Sequence, residues 1–172
     1  LLTEYKEVLR FYMNKILLIT LIMAVLGCNT NTGKEIPPFN FVTLEGKTIT
    51  KDSLKGEVTI LCVWATWCGD CIREIPELND LVTKYKGNDR VNFIALSDEN
   101  EETVRKSLVR FPFYFDHVVN AGEYTNLIKT GLTKHFPQVL FVDKDLNIIF
   151  DVTENKEHIF GVLDNYIQQN ID

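Results

Sequence analysis

The sequence predicts an α/β fold, a mixed central sheet flanked by helices, with an N-terminal β-hairpin and a central insert. Three observations lead there. Val58–Trp64 and Val91–Leu96 are nearly continuous apolar runs, the pattern of strands covered on both faces. Amphipathic, helix-like stretches alternate with them, as in a sheet layered by helices. Near the C-terminus a strand pair around Lys144-Asp145 precedes a last helix, which adds antiparallel strands and makes the sheet mixed.

In chain order, Phe39–Leu44 alternates apolar and polar residues, turns at Glu45-Gly46 and resumes through Thr48 and Ile49, a hairpin pattern. The run Val58–Trp64 follows, then a helix from Gly69 to Lys86 in which Pro76 predicts a kink. Val91–Leu96 is the next buried strand, and Glu99–Arg110 reads as a charged amphipathic helix. Phe113–Phe115 is assigned a short strand and Gly122–Lys129 a short helix, together forming the insert. Val139–Val142 and Asn147–Asp151 make the C-terminal hairpin. Lys156–Gln169 closes the chain, with Ile159, Phe160, Leu163 and Ile167 on one helical face.

Composition narrows the function. A chain of 172 residues with 45% hydrophobic and 24% charged residues suits one globular domain plus an extra segment. Its net charge of −6 argues against a nucleic-acid surface, which is normally basic. Four cysteines are too few for a disulfide-stapled scaffold of this length, so each is expected to have its own role.

The N-terminal part reads as an export segment. Met13-Asn14-Lys15 followed by the apolar run Ile16–Leu26 has the layout of a secretory signal, and the run is shorter than the roughly 20 residues of a membrane span. Leu1–Tyr12 is read as lying upstream of the start or as an unusual n-region. Val25-Leu26-Gly27-Cys28 resembles the lipobox of bacterial lipoproteins, which implies lipidation of Cys28. Residues 1–27 are thus assigned to upstream sequence and signal, 28–36 to anchor and linker, and 37–172 to the folded domain.

Cys68-Gly69-Asp70-Cys71 falls where a central strand hands over to a helix. A thiolate at a helix N-terminus is stabilised by unpaired N–H groups and by the helix dipole, and the thiolate is the species that attacks disulfides. Cys68 is expected to be the exposed attacker and Cys71, about one turn further in, the more buried resolver. A zinc site would need a second ligand pair; His117, His135 and His158 are scattered and read as surface or site-rim residues. A purely structural disulfide over so short a loop would add little stability. No metal and no cofactor is expected.

These words together resemble the thioredoxin superfamily, in particular its anchored, extracytoplasmic TlpA/ResA-type reductases. Phe39-Asn40-Phe41, Val63-Trp64-Ala65-Thr66-Trp67-Cys68, Glu74-Ile75-Pro76-Glu77-Leu78 and Phe136-Pro137 before Val139–Asp143 carry the likeness, which runs from Pro37 to the C-terminus. The resemblance implies a thioredoxin-like fold, a redox disulfide Cys68–Cys71, a cis peptide at Pro137, and a Phe136 backbone that pairs with client peptide. It also implies that Glu74 manages the proton of the resolving thiol. Trp67, Gly69 and Asp70 would complete the client-binding rim. Clients would be proteins with disulfides or thiols, electrons would come from a membrane thiol–disulfide donor, and a lipid would hold the enzyme outside the cytoplasm. That face is the periplasmic one where a cell has two membranes.

Departures from the family pattern matter. Asp70 stands where proline is common, and its charge would raise the Cys68 pKa. Cys62 replaces a polar residue on the central strand and is read as an inert core thiol, with thiol exchange as the alternative. Phe136 is bulkier than usual and would narrow the groove. Three rival functions remain in view: an oxidase or isomerase using the same pair, copper delivery through Cys68, Cys71 and His135, and a peroxidase. The last lacks its usual Pro and Thr, since Leu61 and Ala65 hold those places.

Overall fold

The fold is organised around the strand that carries the longest β-branched apolar run. A computed structural model describes residues 33–129, 136–152 and 158–171. The signal segment, Cys28, most of the linker and His135 lie outside them. Lys34–Glu35 (β1), Asn40–Val42 (β2), Thr48–Thr50 (β3) and Val58–Val63 (β4) lead into helix α1, Gly69–Lys84. Val91–Leu96 (β5), Glu101–Arg110 (α2), Asp116–Val118 (β6), Gly122–Ile128 (α3), Gln138–Val142 (β7), Asn147–Asp151 (β8) and Ile159–Asn170 (α4) follow.

Six strands form one sheet in the order β1-β8-β7-β4-β5-β6. β4, β5 and β6 run parallel, whereas β7 is antiparallel to both β4 and β8. The expected mixed sheet and the hairpin of β2 and β3 are therefore present, the latter pairing Phe41 with Ile49. At its turn Gly46 has φ 81°, a left-handed conformation that glycine adopts without steric strain. The sheet begins earlier than the sequence reading placed the domain, because Lys34 and Glu35 pair with Ile148 and Asn147.

Every residue of β4 is buried, and its alternation divides the core. Val58, Ile60 and Cys62 face a cluster with Ile75, Leu78 and Leu81 of α1, Val104 of α2 and Ile159, Leu163 and Ile167 of α4. Leu61 and Val63 face the opposite cluster, built from Ile36, Ile49, Tyr124 and Ile128. Full burial of such side chains contributes about 1.5–3 kcal/mol each, so this strand anchors both layers. The end of α1 is tied to α4 by polar contacts: Lys84 lies 2.6 Å from Asp164 Oδ1, and the Tyr85 hydroxyl donates to the same oxygen at 2.8 Å.

Helix α1 runs as one element with Pro76 inside it. Two expectations are corrected. The aromatic stretch Phe113–Phe115 is not a strand; Phe113 and Phe115 enter the core from a loop held by Asn79, whose side chain donates to Pro112 O and accepts from Tyr114 N–H. The strand lies just beyond, at Asp116–Val118, and joins the sheet edge beside β5. His117, read as surface or rim, is 2% exposed. Its Nε2 lies 2.9 Å from Phe113 O, and its ring meets Trp64 and Phe113 edge-on. Burial holds its pKa below the ordinary 6.5, which favours the neutral imidazole.

Candidate active site

The C-terminal ends of parallel strands are where α/β sheets present loops for chemistry, and β4 ends there at Val63. The chain then turns, with Cys68 N–H donating to Ala65 O at 3.0 Å, and enters α1. Cys68 is the N-cap: its backbone is extended (φ −82°, ψ 105°) and its Sγ accepts the N–H of Cys71 at 3.1 Å. A cap of this kind fills one of the donor sites that a helix start leaves open. Cys68 and Cys71 form a disulfide, their Cα atoms 5.3 Å apart. Cys68 is 6% exposed and Cys71 3%, so in the disulfide form both sulfurs are buried, and the expected exposure of Cys68 is corrected.

The antiparallel register brings the second loop to the same place. Gln138 pairs with Val63, so the preceding Phe136–Pro137 peptide, which is cis, lies opposite the start of the Trp64–Cys68 turn. The exposed ring of Trp67 packs edge-on against Phe136 with centroids 5.3 Å apart. Trp67, Cys68, Cys71, Phe136 and Pro137 therefore share one end of the sheet. Gly69 is not forced by packing: a methyl there would meet only Arg73 Nη1, at an ordinary 3.9 Å.

Electrostatics alter one expectation. Asp70 does not present its charge alone to Cys68, because it is ion-paired with Arg73 one turn along the helix. Arg73 is mostly exposed and Asp70 partly so, and solvent and salt also screen the pair. Glu74 is half-buried on α1, and its charge reaches Cys62. The Cys62 thiol is 1% exposed; burial first, and the Glu74 charge second, push its pKa far above the ordinary range. It stays protonated and enclosed, and so poorly suited to exchange.

Sequence reasoning missed a polar clamp on the Trp64–Cys68 turn. Thr66 donates its backbone N–H to Glu99 Oε2 and its hydroxyl to Glu99 Oε1, both at 2.7 Å. Ser97 Oγ lies 3.3 Å from Glu99 Oε2. A signal existed in the register: Val63 pairs with Leu96, so residues equally far past the two strand ends are neighbours.

Comparison with known proteins agrees with this geometry. A model of the AhpC/TSA family matches residues 32–150. The thiol-disulfide oxidoreductase ResA of Bacillus cereus is 35% identical over 134 residues, covering 76% of each chain. ResA of Halalkalibacterium halodurans is 27% identical over 138 residues, covering 80% of this chain and 73% of that one. Among solved structures, a thiol:disulfide interchange protein of the thioredoxin family from Chlorobium tepidum superposes with a TM-score of 0.64 at 19% identity. It covers 81% of this chain and 97% of its own, a likeness of fold. With its Cys68–Cys71 pair at the strand–helix junction, the chain belongs to the AhpC/TSA family and is a ResA-like thiol–disulfide oxidoreductase.

Proposed function

We propose that this oxidoreductase works outside the cytoplasm, held to a membrane by a lipid on Cys28, and reduces disulfides of client proteins through Cys68. The observation that carries the assignment of attacker is the Cys71 N–H donating to Cys68 Sγ at 3.1 Å. A donor aimed at sulfur favours the thiolate over the thiol. In the reduced enzyme Cys68 thiolate attacks a client disulfide, forming a mixed disulfide and expelling one client thiolate. Cys71 thiolate then attacks Cys68 Sγ, expelling the second client thiolate and closing Cys68–Cys71. A membrane thiol–disulfide donor returns two electrons to the pair.

Glu74, on α1 beyond Cys71, is the residue offered for the Cys71 proton. Phe136 and Pro137 supply the edge against which client backbone lies, a strand-addition mode, with Trp67, Gly69 and Asp70 at the rim. Ala65 carries no hydroxyl at the place where a peroxidase would use threonine, which disfavours peroxide as substrate.

A Cys71→Ser variant should accumulate client proteins as mixed disulfides on Cys68, released by dithiothreitol, and a Cys68→Ser variant should not. Recovery of none would overturn the enzyme–client reading. Direction is read from the reduction potential of the pair: a value near −120 mV, that of a strong oxidant, would reverse it. Fatty-acid incorporation that persists in Cys28→Ser would overturn the anchor.

A further inference from the structure

The geometry points to Glu99 as a positioning residue for the nucleophile turn, acting through Thr66 and braced by the β6–α3 insert. The inference rests on Cys68 being the attacking thiol, but not on which direction electrons flow.

A glutamate at the start of a helix usually serves that helix, by capping it or facing its dipole. Here that role is filled: Asn100 caps α2, its side chain accepting from Thr103 N–H at 3.0 Å. Glu99 turns away and spends both carboxylate oxygens on Thr66, at 2.7 Å each. Hydrogen bonds to an ionised acceptor are shorter and about twice as strong as neutral ones, and a bidentate pair fixes direction as well as distance. Thr66 is the residue between Ala65, whose carbonyl receives the Cys68 N–H, and Trp67, whose ring rests on Phe136. Holding Thr66 therefore holds both the cap geometry of Cys68 and the placement of Trp67.

The clamp is itself held from behind. Glu99 N–H donates to Ser97 Oγ at 3.2 Å, and Glu99 O accepts from Asn120 N–H at 2.9 Å. Ser97 is fully buried; its N–H donates to Val118 O and its carbonyl accepts from Ala121 N–H, each at 2.9 Å. Thr125 of α3 donates to Asp98 Oδ1 at 2.9 Å. The insert is thus no ornament on the sheet: β6 and the start of α3 grip the Ser97–Glu99 turn, and that turn grips the nucleophile loop.

The test is a double-mutant cycle on the full-length chain, with insulin as the protein disulfide and melting temperature recorded for each variant. Thr66→Val and Glu99→Ala should each lower kcat/KM by about tenfold, within the range that misplacement of a reacting group produces. The double variant should fall no further than Glu99→Ala alone, since the hydroxyl bond lost in Thr66→Val is one of the two that Glu99→Ala removes. Thr66→Ser, which keeps the hydroxyl, should stay near wild type. Multiplying losses, a Thr66→Ser loss equal to that of Thr66→Val, or a Glu99→Ala rate equal to wild type would each overturn the proposal. If Glu99→Ala does not fold, the Thr66→Val and Thr66→Ser pair decides alone. A wild-type chain inert toward insulin and toward dithiobis(nitrobenzoate) would instead defeat the attacking role of Cys68.

Discussion

The indole of Trp67, 70% exposed, meets the ring of Phe136 edge-on at 5.3 Å between centroids. One ring belongs to the turn before α1 and the other to the loop before β7, so the pair closes the site mouth across two chain segments. Aromatic pairs of this kind contribute about 0.5–1.5 kcal/mol beyond burial. Trp67→Ala is expected to raise KM for a protein disulfide by about twofold to tenfold, with kcat changed less. Steady-state turnover of insulin measures the split; a fall in kcat alone at constant KM would show that the pair does not bind client.

The Asp70–Arg73 ion pair predicts opposite effects from its two halves. Arg73→Ala leaves the Asp70 charge less balanced near Cys68 and should raise the pH midpoint of Cys68 alkylation in the reduced protein. Asp70→Asn should lower it. Because both side chains reach solvent, both shifts should shrink at high salt. Iodoacetamide rates followed against pH report this directly, and shifts of the same sign would refute it.

Asp164 joins α4 to α1. Burial works to raise its pKa, but hydrogen bonds from Lys84, Tyr85 and Gln168 and the Lys84 charge outweigh that and hold it below the ordinary 3.8. The stability it contributes is therefore present above that value and lost as pH falls through the lowered folded-state value. Asp164→Asn should cost about 1–3 kcal/mol at pH 7 and progressively less in acid. Urea unfolding at several pH values tests this; a penalty that grows on acidification would contradict it.

His117 has the same direction of dependence for a different reason. Its folded-state pKa is lowered by burial, so the unfolded chain binds the proton more readily. Stability is full above the ordinary 6.5 and declines as pH drops below it toward the folded value. His117→Phe should flatten the stability profile between roughly pH 6.5 and 5. Thermal melts across that window decide it, since an unchanged slope would mean His117 is not the titrating group.

How much was legible in the sequence depends on whether the information was local. β4 and β5 declared themselves because strands buried on both faces are written as apolar runs, and the Cys68–Cys71 spacing needed only the strand–helix junction around it. Phe113 and Phe115 carry the apolar pattern of a strand without strand pairing: they reach the core from a loop that Asn79 holds by its side-chain amide. The true strand carries Asp116 and His117, polar residues that conceal it until β5 lies alongside. In sequence Glu99 is one more charge on an amphipathic helix, and nothing within its own segment reveals a partner 33 positions away. The Asp70–Arg73 pair is local, three residues apart on one helix, and falls within reach of sequence patterning.

Cys62 has a use that its chemistry alone does not suggest. Its thiol sits mid-sheet between Ala95 of β5 and Val139 of β7, sealed from solvent and from exchange. With Cys28 lipidated or replaced and Cys68 joined to Cys71, a thiol reagent reports on Cys62, which it reaches only when the sheet around it opens. The rate of that labelling is a stopwatch for global opening. The chain carries, six residues before its reactive pair, a built-in gauge of its own integrity.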